Sequence, residues 1–280
     1  VIPIISIALS VVLLQLAGAW GIWALTTGLV GGALLELGTL GFCLKRQHLK
    51  LVWPTGWSGL RTELRQVQQQ AWPLILGSLL MSGVSVMSAS LTTKFPAGSL
   101  AAFGYANKLI ATPIGLLSVA LNTAAAPFLA RLATRQAWRS LQQTLARYLV
   151  LIFCLAVPVT IGLMVLAQPL TALLLQRGAF APTDSRLVAE LLSGLALQLP
   201  FYIASGFVVQ LLIALRATKV TLMVSACNLA VMFLLSHWLS GRFGLLGIAL
   251  SISGMYLVAF LVVYFLAVKL MKSPPQVICE

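Results

Sequence analysis

Apolar residues in this chain neither alternate in twos nor confine themselves to one helical stripe; they run on. Uninterrupted apolar stretches fill positions 1–17, 22–44, 72–92, 100–130, 146–167, 185–213, 219–238 and 244–268. Most are close to the roughly 20 residues that an α-helix needs to cross the hydrocarbon core of a bilayer. A membrane β-barrel would instead alternate over strands of about 10 residues. The pattern predicts an all-α polytopic membrane protein with eight spans.

Composition removes the soluble alternative. Hydrophobic residues make up 60% of the chain and charged ones 8%, against roughly 25% charged in soluble domains. The net charge of +13 is first a signal of topology. Connectors after even-numbered spans hold Lys45, Arg46, Lys50, Arg61, Arg65, Arg131, Arg135, Arg139, Arg147, Arg216, Lys219, Lys269 and Lys272, whereas those after odd-numbered spans hold Lys94, Arg177, Arg186 and Arg242. The richer set belongs in the cytoplasm, where it favours anionic lipid headgroups; nucleic-acid binding is not implied. The chain opens at Val1 inside an apolar run and is expected to be a piece of a longer protein, with any signal peptide upstream.

Two cytoplasmic connectors have helical periodicity of their own. In one, Trp57, Leu60, Leu64, Val67 and Ala71 share a face opposite Arg61, Arg65 and glutamines; in the other, Trp138, Leu141, Leu145 and Tyr148 do the same. Such a stripe suits a helix lying in the membrane interface, and equally one that packs on the cytoplasmic ends of the bundle.

Polar residues within the spans carry the candidate chemistry. Lys108, Thr112, Gly115 and Asn122 recur at helical spacing in the fourth span, with Asn107 beside them and Pro113 interrupting the backbone ladder. A lysine at mid-bilayer costs about 2.5–3.5 kcal/mol on insertion scales, so Lys108 either snorkels to the outer surface or faces a cavity where it meets an anion. Ser78, Ser82, Ser85 and Thr92 share a face of the third span, fit for close helix approach or for lining a cavity. Gln198, Tyr202 and Ser205 in the sixth span, around Pro200, and Ser225 and Asn228 in the seventh suit either a sugar headgroup or helix-to-helix hydrogen bonds. Glu36, the carboxylate inside an early span, has three uses open to it: a proton relay, an ion pair with a base such as Lys108, or snorkelling to the interface.

Other chemistry lacks its residues. Cys43, Cys154, Cys227 and Cys279 stand singly, as do His48 and His237, so no disulfide, metal site or cofactor is expected. There is no GxxxxGK[ST] phosphate loop, no HExxH and no credible Ser/His/Asp set, which argues against an enzyme. Transport or a packing role remains.

The stretches "GSLAAFGYANKLIATPIGLLSVALNTAAAPFLARLA" at 98–133 and "LLLQRGAFAPTDS" at 173–185 resemble the MurJ/MviN lipid II flippase family of the MOP flippase superfamily. The family pattern YA-[DN]-[RK]-L…P-x-G is matched by Tyr105, Ala106, Asn107, Lys108, Leu109, Pro113 and Gly115. The resemblance implies a MOP/MATE-like flippase fold, with two six-helix lobes around a central cavity in a multi-pass protein of the bacterial inner membrane. The chain would supply helices five to twelve: 1–50 as the last two helices of the N-terminal lobe, 51–71 as an amphipathic connector, 72–270 as the six-helix C-terminal lobe and 271–280 as a tail. By the same resemblance Lys108 meets the diphosphate of the lipid-linked substrate; the polar spacing, apart from the resemblance, offers Asn107, Thr112, Asn122, Gln198 and Tyr202 as candidate substrate contacts and Glu36 as a candidate proton or ion-pair residue. The partners are then a lipid II-like glycan, membrane lipids and the remainder of the N-terminal lobe, without which the chain alone is expected to be inactive. Asn107 and Ala111 stand where many lipid II flippases have Asp and Glu. The more positive site leaves as an alternative a flippase for another polyprenyl-diphosphate glycan, such as an exopolysaccharide or O-antigen unit; a cation-coupled multidrug exporter of the same superfamily is the lesser alternative, since it needs membrane carboxylates and the chain offers little beyond Glu36. Asp184 or Thr183 is expected to cap the helix that follows QRGAF.

Overall fold

The computed structural model describes residues 57–134, 138–176, 180–215 and 217–272, with scattered positions between 30 and 42 that are helical. The expected span at 1–17, most of that at 22–44, and Glu36 lie outside the described residues. The chain divides into two compact units, 1–63 and 64–280, and the architecture below is that of the second.

Every regular element among the described residues is an α-helix: α1 Trp57–Thr92, α2 Ser99–Thr134, α3 Trp138–Leu175, α4 Pro182–Ala196, α5 Gln198–Ala214 and α6 Thr218–Lys272. Their membrane-competent stretches are Ala71–Thr92, Ser99–Leu121, Ser140–Leu175, Pro182–Ile213 and Val220–Met271. They coincide with the six apolar runs from residue 72 onward once the last is divided in two.

That division is made by one residue. A continuous α6 of 55 residues would reach about 80 Å, far more than a bilayer core of about 30 Å. Gly244 sits at φ 58°, ψ −132° and breaks the helix, in a region that side-chain-bearing residues rarely adopt. The two arms then fold back on each other. A Cβ on Gly247 would run into the backbone of Leu239, and one on Gly254 would come to 3.0 Å from Leu235 Cδ1.

The single run at 185–213 becomes two helices that meet at Leu197, whose φ −60° and ψ −23° remain right-handed. Pro200 has no N–H to offer the carbonyl of Ala196 four residues back, so the ladder opens there and the chain bends without reversing. Pro73, Pro158 and Pro169, by contrast, lie inside α1 and α3 without ending them.

α5 forms the centre. Ala204, Phe207, Val208, Leu211 and Leu212 on it are all buried. Phe207 stacks on Tyr148 of α3 at 5.2 Å, and Phe153 of α3 meets Phe201 of α5 at 5.9 Å and Phe260 of α6 at 5.6 Å. These aromatic contacts tie three helices together.

Both connector stripes are helical, and neither forms a separate surface helix. Each runs directly into the following span as the first turns of α1 and α3. In α3 the stripe continues as Leu141, Leu145, Leu149, Ile152 and Ala156, all buried. Packing on the bundle, the second of the two readings, is the one realised there.

The polar face of α1 is split: Thr92 at its end is buried, whereas its three serines are not. Ser78, Ser82 and Ser85 are exposed, and the first two return their hydroxyls to the carbonyls of Ile75 and Ser78. α6 approaches the glycine side instead: a Cβ on Gly77 would meet Ser225 Oγ at 3.2 Å and one on Gly83 would meet Leu229 Cδ1 at 3.5 Å. Asn228 Nδ2 adds a 3.7 Å contact to Met81 Sδ. Glycine permits closer backbone approach than serine, and a hydroxyl within a helix can bond its own preceding turn.

Candidate functional site

The two faces of α2 differ in kind. Ala102, Phe103, Ala106 and Ile110 point inward and are buried, whereas Ala101, Tyr105, Lys108, Thr112 and Gly115 form an exposed line at helical spacing. Lys108 lies nine residues beyond Ser99, about 14 Å along the helix, or roughly half the thickness of a hydrocarbon core. The Lys108 backbone therefore sits at depth in a membrane-length helix, with its side chain on the open side.

Its neighbours add uncharged polar groups. Thr112 Oγ1 donates to the Lys108 carbonyl at 3.4 Å, which turns its proton to the backbone and leaves its lone pairs free to accept. Asn107 is half-buried at the edge of the line. Asn122 belongs to the same helix, but its side chain is outside the described residues.

Gln198 and Tyr202 lie on α5. Gln198 is buried at the bend between α4 and α5, and Tyr202 packs edge-on against Tyr256 of α6 at 4.9 Å. Gln198 is thus buried and Tyr202 half-buried on α5, whereas Lys108, Thr112 and Asn107 share one side of α2.

One contact went unread in the sequence. Tyr105, one turn before Lys108, meets Phe180 edge-to-face, with centroids 5.7 Å apart and planes at 87°. Phe180 closes the QRGAF motif, so the two stretches that carried the family resemblance touch in space; their shared aromatic character was the available signal.

The segment after Phe180 is fixed by hydrogen bonds. Pro182 occupies the first position of α4 and Ala181 its N-cap, so the expected cap at Thr183 or Asp184 is displaced. Asp184 instead accepts from the Ala181 backbone N–H at 3.2 Å, where its charge complements the helix dipole. Thr171 Oγ1 donates to the Ser185 carbonyl at 3.2 Å in a buried contact, joining the end of α3 to the start of α4.

Comparison with known proteins agrees with this architecture. The model of the family "Lipid II flippase MurJ" matches residues 1–278. A probable lipid II flippase MurJ of Bdellovibrio bacteriovorus is 30% identical over 234 residues, covering 83% of this chain and 43% of that protein. One from Helicobacter pylori strain J99 is 29% identical over 231 residues, covering 80% and 48%. The chain thus spans about half the length of the curated relatives it matches. Among solved structures, an inward closed lipid II flippase MurJ superposes with a TM-score of 0.70 at 21% identity over 96% of this chain and 55% of that one. A MATE transporter of Vibrio cholerae in its bent form does so at 0.77 and 15%, over 97% and 62%. Those identities establish a shared MOP/MATE-type flippase fold and nothing finer. The family match, extending across nearly the whole sequence, goes further: this multi-pass membrane chain belongs to the MurJ lipid II flippase family.

Proposed function

We propose that the protein moves undecaprenyl-diphosphate-linked peptidoglycan precursor, lipid II, from the cytoplasmic to the outer leaflet of the bacterial inner membrane by alternating access. The observation that carries this reading is a lysine on the exposed side of a membrane-length helix in a chain matched throughout by the lipid II flippase family.

The energetics are coherent. Lys108 costs about 2.5–3.5 kcal/mol to hold in the membrane. A unit negative charge 4 Å away at an effective dielectric of about 20 returns roughly 4 kcal/mol, and a diphosphate carries more than one. Cation and anion therefore lower each other's cost of entering a low-dielectric cavity. Thr112 can accept from a sugar hydroxyl, and Asn107 can both donate and accept. Gln198 and Tyr202, in packed surroundings, are better suited to holding helices together than to touching the headgroup in this conformation. Residues 1–50 belong to the other lobe in this reading, with Glu36 as its proton or ion-pair group. Transport then requires the complete parent protein, in which two lobes rock about a central site.

Asn107 and Ala111, in place of the two acids common in lipid II flippases, support a second reading: another polyprenyl-diphosphate glycan as cargo. Both readings meet one test. Bacteria depleted of their own lipid II flippase would express the complete parent protein with Lys108 or with Lys108→Gln, at equal levels. An externally added lipid II-cleaving enzyme then reports exposure at the outer face. Restoration by the lysine form alone is expected. Restoration by both forms removes Lys108 from the site, and restoration by neither moves the cargo to another glycan.

A further inference from the structure

A lysine is a point charge on a flexible stem; it attracts an anion without fixing its orientation. A neutral donor held at a set distance from it supplies that. Tyr105 stands three residues before Lys108 on the same exposed line of α2, with 39% of its surface open. Three residues of helix separate the two Cα atoms by about 4.5 Å along the axis.

The ring of Tyr105 is held from the side. Its 87° contact with Phe180 fixes the plane, and Phe180 is in turn tied to the fold at the start of α4. The Ala181 N–H bonds Asp184 at 3.2 Å, and Ser185 is bonded to Thr171 of α3. Among the described residues, no hydrogen bond occupies the Tyr105 hydroxyl. On an open face such a hydroxyl is available to donate outward. A ring braced at its edge, with its surface open and its donor uncommitted among the described residues, one turn from the cation, is arranged for a ligand.

We propose that Tyr105 is a substrate-contacting residue whose hydroxyl donates to the diphosphate neutralised by Lys108, and that Phe180 is the positioning residue that holds its ring. This rests on the Lys108 site described under the proposed function. It also gives QRGAF a task that local structure alone does not: its Phe180 orients a donor contributed by α2, 75 residues earlier in the chain.

The test is lipid II binding to the purified complete parent protein in nanodiscs. Tyr105→Phe keeps the ring and its contact with Phe180, so the fold is preserved. Losing a hydrogen bond to a charged group is expected to weaken binding about tenfold. Lys108→Gln weakens it at least as much. Phe180→Leu weakens binding on its own, but the double variant Tyr105→Phe/Phe180→Leu binds no more weakly than Tyr105→Phe, because Phe180 acts through the hydroxyl. Wild-type affinity in Tyr105→Phe, with binding lost in Lys108→Gln, overturns this proposal and leaves the lipid II reading standing. Additive losses in the double variant overturn the positioning role of Phe180. A wild-type protein that binds no lipid II overturns both readings.

Discussion

Ser253 of α6 donates to the carbonyl of Gly194 in α4 at 2.7 Å, across 59 residues of chain and in a buried position. The bond exists because Gly194 lets α6 come close: a Cβ there would lie 3.0 Å from Leu246 Cδ1 and 3.2 Å from Ala249 Cβ. Small residue and hydroxyl form one device for helix association where no hydrophobic drive operates between helices.

The two halves of that device should fail by different amounts. Ser253→Ala removes one interhelical bond and is expected to cost about 0.6–1.7 kcal/mol. Gly194→Leu forces the helices apart and is expected to cost more, about 1–3 kcal/mol or above by overpacking. Reversible unfolding of the purified protein in detergent or bicelles would rank them, and equal costs would show that Gly194 is not at a tight approach.

The α6 turn gives a second ranking. A Cβ at Gly247 meets the backbone of Leu239, which cannot move aside, whereas one at Gly254 meets only the tip of the Leu235 side chain. Gly247→Ala should therefore destabilise the protein more than Gly254→Ala. Gly244→Ala should add about 1–3 kcal/mol of backbone strain, because φ 58° with ψ −132° is a region that side-chain-bearing residues rarely adopt. Thermal unfolding of the three single variants under one condition checks the order.

Apolar run length was enough to place the described spans, because crossing a bilayer sets a length that residue type alone reveals. Pro200 likewise marked the bend between α4 and α5, since a missing N–H is a local fact. Which face of a span packs was far harder to read. Lipid tails are as apolar as a protein core, so Leu79 and Val86 can be exposed on α1 while Val84 is buried, and no contrast in hydrophobicity separates them. That is why the serines of α1 left both a helix contact and a cavity lining open, while the approach to α6 is made at its glycines. Lys108 stood out as a candidate in the sequence because a charge is the one side chain that lipid does penalise. Its aromatic neighbour was not, because Tyr105 and Phe180 meet only through the fold.

The first turns of α3 offer a test of whether a basic amphipathic stripe packs or floats. Leu145 is 2% exposed, whereas Arg147, two residues on, is exposed. Leu145→Ala is expected to cost about 2–5 kcal/mol through the cavity it leaves. Arg147→Ala should stay within about 0.5 kcal/mol. If Leu145→Ala proved as mild as Arg147→Ala in equilibrium unfolding, the stripe would be lying against lipid.

Exposure on α2 has two meanings in a membrane, lipid or water, and thiol chemistry separates them. A thiolate reacts and a lipid-facing thiol scarcely ionises, so a membrane-impermeant maleimide labels only cysteines that water reaches. In the complete parent protein with its native cysteines replaced, Lys108→Cys and Thr112→Cys should be labelled, because both lie on the exposed polar line. Ile110→Cys, on the buried face at 2% exposure, should not. Prior addition of lipid II should slow labelling at 108 and 112 together, since a bound headgroup would cover one continuous face. Labelling at 108 that lipid II leaves unchanged would keep the water-filled cavity and remove the substrate from it. No labelling at either position would mean that this line of α2 faces acyl chains, with the Lys108 ammonium carried to the interface by its own stem.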